Sequence, residues 1–151
     1  MDFRGKICAT KDANEFRYHR RVGAAGWCFR DEASEAGDNV LEQVKKFGAY
    51  VPSLWHLEVG NVLRQAERRN RISESVSQRQ FQLLLMLPIQ VDSETAAQAW
   101  EATMSLARQH MLTVYDAAYL ELATRRGLPL ASKDKELLGA AGREGVRTIA
   151  C

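Results

Sequence analysis

The feature that most constrains this chain is a change of period. From Val22 onward, short apolar runs alternate with longer stretches whose apolar residues recur at helical spacing. Glu32–Lys46 is predicted helical, with Ala33, Ala36, Val40 and Val44 on one side. Ala49–Pro52 is a short extended segment stopped by Pro52, and Ser53 is a candidate N-cap for a helix over Leu54–Arg69. That helix is expected to bury Leu54, Leu57, Val59, Val62 and Leu63, and it turns basic at its end with Arg64, Arg68, Arg69 and Arg71. A further helix is predicted over Ser73–Leu87, with Val76, Phe81, Leu84 and Leu85 as its apolar face, closed by Pro88. Ile89–Val91 is a strand, and Ser93 is expected to cap a helix over Glu94–Gln109. Thr113 or one of its neighbours starts Tyr115–Arg126, which stops at Gly127, a natural residue for a left-handed C-cap. Leu128–Ser132 is a strand, Lys135–Ala141 a short helix and Val146–Ala150 a last strand. Short strands alternating with longer helices predict an α/β domain with a mostly parallel central sheet.

Length and composition agree with one such domain. The chain has 151 residues, 46% of them hydrophobic and 26% charged, enough apolar material for a core and too little charge imbalance for disorder. A net charge of +2 is too mild to argue for nucleic acid by itself. Residues 1–21 differ from the rest: they are polar, charged and aperiodic, and contain no convincing strand or helix. The expected division is therefore 1–21 as an aberrant segment and 22–151 as the domain. Cys8, Cys28 and Cys151 are widely scattered, which reads as reduced thiols in a cytoplasmic protein rather than a disulfide framework or zinc site. The longest apolar run, Leu83–Leu87, is far short of a membrane span, and no secretory h-region opens the chain.

In sheets of this kind, sites form at the carboxyl ends of strands. Three acids lie in suitable places. Glu58 is on the helix after Ala49–Pro52, Asp116 opens the helix before Gly127, and Asp134 directly follows the Leu128–Ser132 strand. Any one of them is also explained as a cap or a dipole contact. Gathered acids, however, repel one another, and a divalent cation relieves that repulsion. Magnesium takes oxygen ligands, activates water and steadies charge on a phosphate.

Three blocks carry a family resemblance. Val51-Pro52-Ser53-Leu54-Trp55-His56-Leu57-Glu58-Val59-Gly60-Asn61-Val62-Leu63 resembles the second block of PIN-domain ribonucleases of the VapC toxin type. Leu112–Ala123, containing Thr113-Val114-Tyr115-Asp116, resembles the third, and Leu128–Leu137, containing Ala131-Ser132-Lys133-Asp134, the fourth. The resemblance implies a three-layer α/β PIN-like domain and a magnesium-dependent endoribonuclease toxin, with manganese as a substitute ion. By the same resemblance Glu58, Asp116 and Asp134 are the catalytic and metal-binding acids. Ser132 matches a small hydroxyl position near metal or substrate, and Asn61 is a candidate support one turn from Glu58. The implied partners are RNA, a small cognate antitoxin and a second copy of the chain. His56 reads as a partly buried structural histidine, and Trp27, Trp55 and Trp100 as core or interface residues. Arg64, Arg68, Arg69 and Arg71 can track an RNA backbone or simply solvate a helix end.

The family's first block departs. It has an apolar strand followed by Asp-Ala-Ser, whose Asp is a principal metal ligand. Counting back from Gly26-Trp27-Cys28-Phe29 places that Asp at position 20, where this chain has Arg20. A one-base shift accounts for the difference. His19-Arg20-Arg21-Val22 encoded CAT CGA CGC GTC reads ATC GAC GCG TC, or Ile-Asp-Ala-Ser, in the next frame. Asp12–Tyr18 encoded GAT GCG AAC GAA TTC CGT TAT then yields Met-Arg-Thr-Asn-Ser-Val-Ile, supplying a start codon and an apolar strand as well. Two functional expectations follow: a ribonuclease impaired by Arg20, or a catalytically inactive PIN-fold module that binds RNA or antitoxin. A nucleotide-binding α/β protein is a weaker third, because no Gly-rich phosphate loop follows a strand.

Overall fold

The computed structural model describes residues 7–9 and 35–150. Five short strands form one sheet: β1 (Ile7–Ala9), β2 (Ala49–Val51), β3 (Ile89–Val91), β4 (Leu130–Ser132) and β5 (Thr148–Ala150). Their spatial order is β3-β2-β1-β4-β5. β2 pairs in parallel with β3, and β4 with β5, while β1 is antiparallel to both of its neighbours. Four strands thus share one direction and the central one opposes them. The mostly parallel sheet expected from the sequence is present, with a reversed centre.

β1 arises from the segment in which the sequence pattern predicted no strand. Three residues are too few to display a period. What selects Ile7-Cys8-Ala9 is the gap between β2 and β4, whose facing N–H and C=O groups are costly to bury unpaired. Cys8 fills it by pairing with Tyr50 on one side and Leu130 on the other. Arg20, Trp27, Cys28 and the first residues of the expected Glu32–Lys46 helix lie outside the described residues.

The described helices are α1 (Glu35–Phe47), α2 (Trp55–Arg68), α3 (Glu74–Leu85), α4 (Thr95–Gln98), α5 (Ala102–His110), α6 (Val114–Arg126) and α7 (Lys135–Arg143). They flank the sheet in a three-layer α/β arrangement around a core that includes Val44, Val51, Leu63, Tyr119, Leu120, Leu130 and Leu137. At the centre is α6, in which every residue from Ala117 to Ala123 is buried. A helix enclosed on so many sides loses the amphipathic stripe of a surface helix. Its ends are those expected: Thr113 caps the start through its side chain, and Gly127 closes it at φ 62° in the left-handed region. No described helix is long and apolar enough to cross a membrane.

Several local expectations are corrected. Ser53 does not cap α2; its backbone N–H donates to Thr95 Oγ1 at 3.1 Å, and the N-cap is Leu54 with no side-chain bond. Leu57 is 78% exposed because the buried face of α2 runs through Trp55, Val59, Leu63 and Ala66, roughly half a turn away. On α3, Leu84 is buried but its neighbour Leu85 is exposed, since successive helical residues point about 100° apart. The helix expected over Glu94–Gln109 is broken into α4 and α5 across Ala99–Glu101, leaving Trp100 exposed, which excludes it from the core. Ser93 is not its cap. Asp92 provides the bond, accepting from the Glu94 backbone N–H at 3.1 Å.

Candidate acidic site

Each of the three acids is fixed by its own local structure. Glu58 stands on the first turn of α2 and is only 6% exposed. A carboxylate so enclosed needs a donor. Tyr119, fully buried on α6, supplies one: its hydroxyl donates to Glu58 Oε2 at 2.5 Å. Asp116 lies one turn before Tyr119 on the same face of α6. It makes a reciprocal pair with the cap residue. The Thr113 hydroxyl donates to Asp116 Oδ2 at 2.5 Å, and the Asp116 backbone N–H donates to Thr113 Oγ1 at 3.1 Å. The Glu58–Tyr119 bond therefore holds the acid of α2 against the amino-terminal half of the helix that carries Asp116.

Asp134 is the N-cap of α7. Its Oδ1 accepts from the backbone N–H groups of Glu136 at 2.9 Å and Leu137 at 3.1 Å. Ser132, at the carboxyl end of β4 and fully buried, accepts from the Asp134 backbone N–H at 2.9 Å and so sets the turn between them. Asn61 is exposed on α2, one turn beyond Glu58. His56 is exposed, not partly buried as expected, and meets Trp55 edge-on at 4.9 Å. Trp55 itself is core, at 3% exposure.

The donor type of Glu58, Asp116 and Asp134 suits magnesium, which prefers hard oxygen ligands. Their gathering is a separate matter. Among the described residues no three His, Cys, Asp or Glu side chains are close enough together to hold a metal ion. Position 20, where the first-block acid was expected, is outside the described residues.

Sequence reasoning missed two features. One is Tyr119 as the partner of Glu58; its signal is the one-turn spacing in Asp116-Ala-Ala-Tyr119. The other is a buried ionic cluster around Asp92, which directly follows β3. Arg125 Nη2 donates to Asp92 Oδ2 at 2.8 Å, while Arg126 donates to Oδ1 from Nη2 at 2.8 Å and Nε at 3.0 Å. Arg125 also bonds Glu121 Oε1 at 2.6 Å, and the Arg126 guanidinium lies 4.3 Å over the Tyr50 ring. Burial by itself would raise the Asp92 carboxyl, but the hydrogen bonds and charges of the two arginines outweigh it and hold the group below its usual range. Arg125 is pushed further up, first by its bond to Glu121, and stays charged. The cluster ties β2, the end of β3 and the end of α6 together and makes buried Glu121 tolerable inside the core.

This fold and this arrangement of blocks define a family. The PIN domain model matches residues 25–142, so the chain belongs to the PIN domain family. Within it the chain is similar to ribonuclease VapC1 of Mycobacterium tuberculosis, 33% identical over 92 residues, covering 60% of this chain and 66% of that protein. It is also similar to ribonuclease VapC3 of Pyrobaculum aerophilum, 28% identical over 107 residues, covering 71% of this chain and 80% of that protein. The alignment thus spans just under two thirds of the mycobacterial relatives.

Proposed function

We propose that this chain is built as a PIN-type endoribonuclease of the toxin–antitoxin kind, with Glu58, Asp116 and Asp134 as its acids and with Arg20 impairing it. The observation that carries the reading is the buried Tyr119–Glu58 bond, which holds one block's acid beside the helix that presents the next block's acid. The family membership and the ribonuclease names of the relatives support the reaction class. Those three carboxylates, which do not form a three-ligand group in the described structure, would hold magnesium, or manganese in its place, only once drawn together around the ion, which would supply an activated water and charge neutralisation at the scissile phosphate. The chain's own residues do the positioning. Tyr119 orients Glu58, Thr113 orients Asp116, and the α7 amino terminus with Ser132 orients Asp134. RNA is the substrate, and a small antitoxin and a second copy of the chain are the partners.

A second reading, an inactive PIN-fold module that binds RNA or antitoxin, is favoured by Arg20 and by the lack of a three-acid cluster among the described residues. Single-turnover cleavage of a mixed RNA, with and without EDTA, separates the two. The parent chain is compared with a variant whose first block is restored: R17V, Y18I, H19I, R20D, R21A and V22S. The restored protein is expected to cut RNA with magnesium, and D116N within it to lose that activity, since an amide supplies no anionic charge. The parent is expected to cut weakly or not at all. Strong EDTA-sensitive cleavage by the parent would refute the disabling role of Arg20. Silence from a folded restored protein would favour the binding module.

A further inference from the structure

The charge of this chain is unevenly spread. Residues 64–79 hold five arginines, at positions 64, 68, 69, 71 and 79, against Glu67 and Glu74, a net of +3. The whole chain carries +2, so everything outside this segment is net negative by one. The excess lies at the carboxyl end of α2 and in the turn into α3.

Its position relative to Glu58 gives it meaning. At 100° per residue, Asn61, Gln65, Arg68 and Arg69 all fall within about 80° of Glu58 on α2 and its C-cap. The face therefore starts with a buried carboxylate, passes an exposed amide at Asn61 and a half-buried one at Gln65, and ends in two exposed guanidiniums. Arg68 lies ten residues beyond Glu58, or roughly 15 Å along the helix axis. Arg64, by contrast, is engaged with Glu67 at 3.2 Å. Arg68 and Arg69 form no side-chain hydrogen bond or ion pair among the described residues. Arg68 and Arg69 point about 100° apart at the helix end, so their exposed guanidiniums can reach different phosphates of one strand. The helix dipole already favours cations at this end, and a phosphate chain adds charge-assisted, paired hydrogen bonds to both guanidiniums.

We propose that this face of α2 is a backbone-holding subsite for single-stranded RNA, with Arg68 and Arg69 gripping phosphates and Asn61 and Gln65 lying along the path to Glu58. The assignment rests on RNA being the ligand of the acidic site, but not on the chain being able to cut it. Guanidiniums bind phosphate oxygens in paired hydrogen bonds without regard to base, so the subsite adds affinity and register rather than sequence preference.

The test is fluorescence-anisotropy binding of a labelled single-stranded RNA to the full chain in EDTA, across a salt series. The double variant R68Q/R69Q is compared with the parent and with a charge-matched control, K45Q/R108Q, on α1 and α5. Losing two phosphate contacts should lower the slope of log affinity against log salt by about 1.4 and weaken binding several-fold at low salt. The control should follow the parent. Circular dichroism melts of all three proteins confirm that binding is compared between folded chains. Parent-like binding by R68Q/R69Q overturns the inference, and so does an equal loss in the control. Absence of RNA binding by the parent, with polyglutamate bound instead, assigns the patch to an acidic protein and also overturns it. Because no cleavage is read, RNA binding lost with these arginines in a chain that never cuts supports the subsite while sinking the nuclease reading. Cleavage in the restored chain with unchanged binding by the double variant does the reverse.

Discussion

Replacing Asp92 by alanine should be among the most damaging single changes outside the acidic site. The Asp92 side chain is fully buried and accepts three guanidinium N–H bonds of 3.0 Å or less, with the Glu94 backbone N–H as a further donor. Breaking a buried ion pair by removing one partner costs about 3–5 kcal/mol, because the remaining charge stays desolvated. Here the lower part of that range applies to the pairs. Arg125 keeps Glu121, and the Arg125 and Arg126 side chains are 24% and 32% exposed, so water can reach them. The lost backbone bond at Glu94 adds about 1 kcal/mol. The sum is about 4 kcal/mol for D92A, which for a domain of this size lowers Tm by roughly 12 °C. D92N keeps one acceptor oxygen and should cost about 2 kcal/mol. Urea denaturation followed by circular dichroism measures both. A double-mutant cycle with R126A isolates the pair, because R126A should cost clearly less in the D92A background than in the parent. D92A within about 1 kcal/mol of the parent, or additive costs in the cycle, would refute the argument that this cluster anchors the end of α6.

The same cluster sets an acid limit. The folded-state Asp92 carboxyl lies below its unfolded value, so its contribution is fully present above the ordinary carboxylate range and is lost as pH falls through that range toward the folded value. The stability of D92N, measured by denaturation between neutral and acid pH, should therefore fall less steeply than that of the parent. At Tyr119, phenylalanine preserves the packing but removes the donor to Glu58, leaving a buried carboxylate short of a bond. Y119F should lose about 2 kcal/mol of stability by the same denaturation assay, and E58Q should recover part of that loss in the Y119F background. Equal stability of Y119F and the parent would show that water replaces the hydroxyl without cost.

What could be read from the chain followed local rules. Thr113 and Gly127 bracket α6 because a hydroxyl cap and a left-handed glycine are recognisable in any context. Ser73, read as the first residue of its helix, stands one position outside it as the N-cap, accepting from the Val76 backbone N–H. Asp134 follows β4 and Asp116 opens α6 as their spacing predicted, since residues just after strands and on first turns are placed by the backbone itself. The acidic pattern was legible for the same reason.

Other features depended on neighbours distant in the chain. Leu57 and Trp55 look equally apolar in sequence, and only the direction in which α2 meets the core exposes one and buries the other. The break between α4 and α5 leaves no local mark in Ala99-Trp100-Glu101. The Asp92 cluster joins residues more than thirty positions apart, and charges so placed acquire meaning only once burial strips their water. β1 is the sharpest case. Nothing in Ile7-Cys8-Ala9 specifies a strand or a direction, but β2 and β4 leave a slot whose backbone groups must be paired. The sequence by itself determined the ends of α6, the alternation of layers and the positions of Asp116 and Asp134 on their elements, all written in periods and caps a few residues long. Only the tertiary structure decided which apolar residues are core, which charges are neutralised, and which tripeptide closes the sheet, because those outcomes depend on the free energy of removing groups from water against partners far away in the chain.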